Sequence, residues 1–172
     1  MRRARHASLA FMSEDFMQMA LDEAAAAAKA GEVPVGAVLV SADGKVLARA
    51  RNQMRHRHDP TAHAEIGAIR AACEKLGNER LNDCSLYVTL EPCPMCAGAI
   101  VNARVARLVF GTREPKAGAV RSLYELCDDR RLIHRVEITE GVLGDACAQR
   151  LTQFFREARA RKRTLAVGGE AK

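Results

Sequence analysis

Cys93 and Cys96, in the run Cys93-Pro94-Met95-Cys96, lie three residues apart where Pro94 predicts the start of a helix. At that place the two thiols share a face, and the free backbone N–H groups favour thiolates, the form that binds zinc. His63 lies 30 residues before Cys93, in His63-Ala64-Glu65 near the start of another predicted helix. That separation spans a helix and a strand, so two adjacent helix N-termini can face one metal. Three protein ligands leave the fourth tetrahedral position to water, whose pKa a bound zinc lowers to about 7. A carboxylate beside such a water, here Glu65, can take its proton and pass it to a ring nitrogen and a departing amine, which is general acid–base work.

Taken alone, the cysteine pair fits a structural zinc site or a redox pair as well. A structural site needs a fourth protein ligand, and the available residues are His56, His58, Cys73, Cys84, Cys127, His134 and Cys147. None is paired with the trio at ligand spacing. Cys73 and Cys147 sit inside predicted helices and read as small core residues, and His58 beside Asp59-Pro60 reads as part of a turn. The complete pattern, His-x-Glu followed by Pro-Cys-x-x-Cys, resembles the signature of the zinc-dependent nucleobase deaminases.

The elements that must position these residues follow from periodicity. A helix is predicted over Glu14 to Ala30, capped by Ser13 and ended by Gly31. Val35 to Val40 and Lys45 to Arg51 are strands joined at the hairpin signal Asp43-Gly44. Asn52 to Thr61 reads as loop, Ala62 to about Leu76 as helix stopped by Gly77, and Ser85 to Leu90 as strand. A helix from Pro94 to about Ala103 and a strand over Val105 to Phe110 then imply a parallel pair with a right-handed crossover. A polar loop with Pro115 and Gly118, a weak helical piece, a strand over Arg135 to Thr139 and a last helix from about Asp145 to Lys162 complete the chain.

With 172 residues and 48% hydrophobic content, the chain has room for one domain with a sizeable core. The expected division is a disordered extension over 1–11, with Met12 as an alternative start, one domain over 12–163 and a loose tail over 164–172. The formal net charge of +6 favours an anionic partner, with nucleic acid foremost. Six unevenly spaced cysteines without a recognisable leader point to a reducing, cytoplasmic setting, and no apolar run reaches membrane-spanning length.

Beyond the metal trio, further segments carry a resemblance. These are Glu32-Val33-Pro34-Val35-Gly36-Ala37-Val38, His58-Asp59-Pro60-Thr61-Ala62-His63-Ala64-Glu65, Tyr87-Val88-Thr89-Leu90-Glu91-Pro92-Cys93 and Cys96-Ala97-Gly98-Ala99. Val109-Phe110-Gly111, Lys116-Ala117-Gly118-Ala119, His134 to Gly141 and Phe154-Phe155 follow. Together they resemble the bacterial tRNA-specific adenosine deaminases, which convert the wobble adenosine of an anticodon to inosine. The resemblance implies a cytidine-deaminase-like α/β fold, a three-layer α/β/α sandwich around a mixed, roughly five-stranded sheet. It also implies a homodimer, one Zn2+ per subunit on His63, Cys93 and Cys96, and Glu65 as the catalytic acid–base. Asn52 would hydrogen-bond the purine between Val33 and Leu90; from the residues alone Asn52 reads as a turn residue. Arg113, Glu114 and Lys116 would meet the anticodon stem-loop of tRNA, with Phe155, Arg156 and Arg159 on the last helix forming a second RNA surface.

Three positions depart from that pattern: Glu114 in place of the usual aspartate, Arg121 in place of a loop glycine, and Ile133 in place of an asparagine. They bear on the fit to RNA and leave the metal chemistry intact. Two rival readings are a deaminase of a free base or nucleoside such as guanine, cytosine or cytidine, and a non-catalytic zinc module that binds RNA. The basic last helix speaks against the first, and Glu65, which a purely structural zinc does not need, against the second.

Overall fold

The computed structural model describes residues 2–168, and the side chains of 13–161, 163 and 164. Most of the expected extension over 1–11 and tail over 164–172 therefore has side chains outside the described residues. The elements are α1 (Arg2–Lys29), β1 (Gly36–Val40), β2 (Val46–Arg51), α2 (Met54–Arg57), α3 (Ala64–Leu76), β3 (Ser85–Leu90), α4 (Pro94–Asn102), β4 (Arg107–Thr112), β5 (Glu137–Glu140) and α5 (Gly144–Gly168). Ser13 lies inside α1 and not at its cap. The expected loop over Asn52 to Thr61 contains the single turn α2, and α3 starts two residues later than the periodicity predicts. No helix forms between β4 and β5; turns and bends fill that stretch.

The five strands form one mixed sheet in the order β2-β1-β3-β4-β5. β1 pairs antiparallel with both β2 and β3, whereas β3–β4 and β4–β5 are parallel. The predicted β3-α4-β4 crossover is thus present. Because successive strand residues point to opposite faces, a central strand needs apolar residues at every position. β1, Gly-Ala-Val-Leu-Val, is buried throughout. Its Val38 and Val40 join Tyr87 and Val109 beneath Phe16, Met17, Ala20 and Leu21 of α1 and Cys147 of α5. Ala37 and Leu39 join Leu86, Val88, Leu108 and Phe110 beneath Ala64, Ala68 and Ala72 of α3 and Ala97 and Ile100 of α4. The result is a three-layer α/β/α sandwich, in which each fully buried Leu, Ile or Phe contributes about 1.5–3 kcal/mol.

Gly36 is required by this packing. A Cβ there would overlap the backbone of Ala20 and approach the Ala24 nitrogen to 2.6 Å, so only glycine lets α1 lie this close to β1. On the opposite face, α3 and α4 begin side by side at the edge of the β1 and β3 strands, and both start where the sequence places its metal-binding residues.

Candidate active site

His63 is the N-cap of α3 and Cys93 the N-cap of α4. Both have extended backbone, with φ −75° and ψ 155° at His63 and φ −73° and ψ 172° at Cys93, and neither side chain caps its own helix. Each is therefore free to turn toward the other. At α3 the missing cap is supplied from elsewhere: Asn52 Oδ1 accepts a hydrogen bond from the Ala64 amide at 2.9 Å. At α4 the first helical position is Pro94, which has no N–H to satisfy. Cys96, one turn on, is completely buried.

His63 Nδ1 lies 3.7 Å from Cys93 Sγ and 3.5 Å from Cys96 Sγ, and the three ligand atoms all fall within 4.8 Å of one another. Bond lengths of about 2.3 Å to sulfur and 2.0–2.1 Å to nitrogen give a tetrahedron whose N···S edge is about 3.6 Å. The donor set and its spacing fit a thiolate-rich divalent metal site. The charges agree: the hydrogen bond from the Cys96 thiol, aided by His63 and opposed by burial, brings the Cys93 thiol down to about 4. Cys96, holding the shared proton in a buried position, is pushed up, and His63 is raised by its bond to Cys93. A cation placed among them displaces these protons and leaves both sulfurs as thiolates.

Glu65, in the first turn of α3, is 3% exposed, and its Oε2 has no hydrogen-bond partner. Burial drives its carboxyl above the ordinary range, which suits a group that must hold a proton near neutral pH. One other buried side-chain oxygen among the described residues lacks a partner, Glu32 Oε2; Glu32 Oε1 accepts from the His56 amide at 2.9 Å and ties α2 to the end of α1.

A cavity of about 150 Å³ opens onto these groups, lined by Val33, Val35, Asn52, Met54, His63, Glu65, Leu90, Glu91, Cys93, Glu114 and Ala117. A cavity of that size has room for a flat aromatic group. The three expected wall residues, Val33, Leu90 and Asn52, are all present. Asn52 is 4% exposed, and with its Oδ1 already turned to the Ala64 amide, the NH2 group is the end left without a protein partner to offer a ligand. That narrows the sequence-based expectation, which gave its amide both donor and acceptor roles.

Glu114 borders the cavity, but Arg113 and Lys116 do not. Arg113 forks onto Glu140, with Nε to Oε2 at 2.8 Å and Nη2 to Oε1 at 2.9 Å, and Lys116 gives its backbone amide to Glu114 Oε1 at 3.0 Å with its side chain exposed. Phe155, Arg156 and Arg159 are exposed on α5, Phe155 packing edge-on against the buried Phe154 at 5.5 Å. Among the described residues the other histidines and cysteines take no part in the metal group: His134 Nε2 meets the Val105 carbonyl at 2.8 Å, and Cys84, Cys127 and Cys147 are buried. The residue that sequence reasoning missed is Glu91, a cavity-lining carboxylate only 3% exposed. Its signal was a glutamate within an otherwise apolar run, directly before the Pro-Cys pair.

A model of the MafB19-like deaminase family matches residues 11–159. The tRNA-specific adenosine deaminase of Agrobacterium fabrum is 51% identical over 144 residues, covering 84% of this chain and 94% of its own length. A solved structure from studies of A-to-I editing by tRNA:A34 deaminases at the wobble position of transfer RNA matches with a TM-score of 0.77 at 49% identity, over 80% of this chain and 99% of that one. The guanine deaminase from Nitrosomonas europaea shares the fold at a TM-score of 0.69 and 26% identity, over 82% of this chain and 83% of its own.

Proposed function

The chain belongs to the MafB19-like deaminases and, among them, to the tRNA-specific adenosine deaminases, and from that membership we propose that it hydrolyses the wobble adenosine of a tRNA anticodon to inosine, using one Zn2+ held by His63, Cys93 and Cys96. The observation that carries the reading is the three-ligand cluster, two of whose members, His63 and Cys93, line the cavity together with the unpartnered carboxylate of Glu65. When bound, the metal supplies a Lewis acid that makes water nucleophilic at neutral pH. Glu65, held in a protonatable state by burial, takes a proton from the attacking water and passes it to the ring nitrogen N1, then relays the remaining hydroxyl proton to the departing amine. The Asn52 NH2 group donates to an acceptor on the purine edge, and Val33 and Leu90 hold the ring faces and keep bulk water out.

A flipped base reaches this cavity more easily from a single-stranded loop than from a duplex, since less stacking has to be broken. Glu114 at the rim, with Arg113 and Lys116 outside it, would meet the anticodon loop, and Phe155, Arg156 and Arg159 the stem. The protein would act as a homodimer in the cytoplasm, in keeping with six cysteines of which none forms a disulfide. No helix among the described residues is long and apolar enough to cross a membrane.

The guanine deaminase neighbour keeps a free-base substrate as the second reading. Zinc-loaded protein offered an anticodon stem-loop, free adenosine, guanine and cytidine in parallel separates the two. Inosine in the stem-loop alone is the expected result; turnover confined to a small molecule overturns the RNA reading.

A further inference from the structure

Four backbone amides converge on the carboxylate of Glu91, which follows β3 and precedes Cys93 by two residues. Oε1 accepts from the amides of Val120 at 3.1 Å, Arg121 at 2.6 Å and Ser122 at 2.8 Å. Oε2 accepts from the Glu114 amide at 2.9 Å and from the Ser122 hydroxyl. One buried side chain therefore gathers both ends of the loop 114–122. Gly118, in the middle of that loop, makes room: a Cβ there would overlap Glu91 Cδ and Oε2 and come within 2.6 Å of the Glu114 carbonyl. The backbone beside it adds two bonds, Glu91 N to the Thr112 carbonyl at the end of β4 and, from the loop itself, Ala119 N to the Pro92 carbonyl, both at 2.8 Å.

The loop so held supplies Glu114 and Ala117 to the cavity wall. A buried carboxylate without a cation beside it persists only when hydrogen bonds replace its lost water, and these five donors do so. Conversely, without the carboxylate the four amides lose their acceptor and the loop has to rearrange. We propose that Glu91 is a positioning residue: it fixes the loop 114–122 as the outer wall of the cavity and so governs capture of the RNA substrate, without touching the metal or the transferred protons. The inference rests on the RNA-editing reading above.

Two variants test it in zinc-loaded protein. Glu91→Gln keeps the shape but turns an amide donor toward the Glu114 N–H or the Ser122 hydroxyl; Gly118→Ala leaves the charge and pushes the loop off it. Expected for both are faster hydrogen exchange at the amides of Glu114 and 120–122 and a KM for an anticodon stem-loop raised on the order of 10- to 100-fold. Zinc content and kcat should stay close to those of the unmodified protein. A merely structural role would instead lower zinc content and kcat together and leave KM in place, and that result overturns the proposal. So does unchanged exchange with unchanged KM; if one variant does not fold, the other decides. Failure of the unmodified protein to convert the stem-loop is the separate failure of the functional reading and removes this proposal with it.

Discussion

Asn52 divides two tasks between the two ends of one amide. Its oxygen supplies the cap that α3 lacks, leaving His63 free for metal, and its NH2 group is left to the cavity. Asn52→Asp keeps an acceptor for the Ala64 amide and loses the donor, so the melting temperature should hold while substrate affinity falls by about tenfold, the worth of one hydrogen bond. Asn52→Ala loses both, with about 1 kcal/mol of stability gone as well. Thermal unfolding beside steady-state kinetics reads the split. The metal trio and Glu65 were legible because their types and spacing are dictated by coordination and proton transfer. The capping role of Asn52 was not, because it lies 12 residues from its partner and depends on how β2 runs past the start of α3.

The connection from β4 to β5 is the element the sequence left least defined. Its weak helical pattern predicted a helical piece, yet the backbone is held instead by partners distant in sequence. Glu91 binds it across separations of 23 to 31 residues, and Val136 N reaches the Cys127 carbonyl at 2.8 Å. Arg121 closes the loop further with a fork onto Asp128, at 3.1 Å from Nη1 to Oδ1 and 3.0 Å from Nη2 to Oδ2. Local periodicity carries no record of such bonds. Burial pushes the Glu91 carboxyl up, but the Ser122 hydroxyl and the amides of Arg121, Glu114 and Ser122 outweigh it and hold it below its ordinary 4.5. The stabilisation from this depressed value is therefore complete above pH 4.5 and is lost as pH falls through the lowered value. The melting-temperature gap between the unmodified protein and Glu91→Gln should accordingly shrink as the pH drops below 4.5; a gap constant down to pH 2 to 3 would contradict this account of the carboxylate.

Across the whole molecule, the alternation of strand and helix was readable because both faces of β1, β3 and β4 are buried and demand apolar residues throughout. The strand order β2-β1-β3-β4-β5 was not, since adjacency of β1 and β3 is set by packing over long separations. The net charge of +6 and the basic surface of α5 set a further expectation. Arg156→Ala and Arg159→Ala should each weaken stem-loop binding and flatten the dependence of log K on log salt by about one unit or less, as for a lost phosphate contact. An unchanged slope in a salt titration would take α5 out of the RNA surface. The central claim, that a metal held by His63, Cys93 and Cys96 works with Glu65 to deaminate adenosine in RNA, meets its most direct test in Glu65→Ala. Zinc per chain and inosine formed in an anticodon stem-loop should be measured side by side on this variant and the unmodified protein. The account predicts full zinc content with inosine formation reduced by about 10²–10⁴-fold; near-normal turnover by the variant would contradict it.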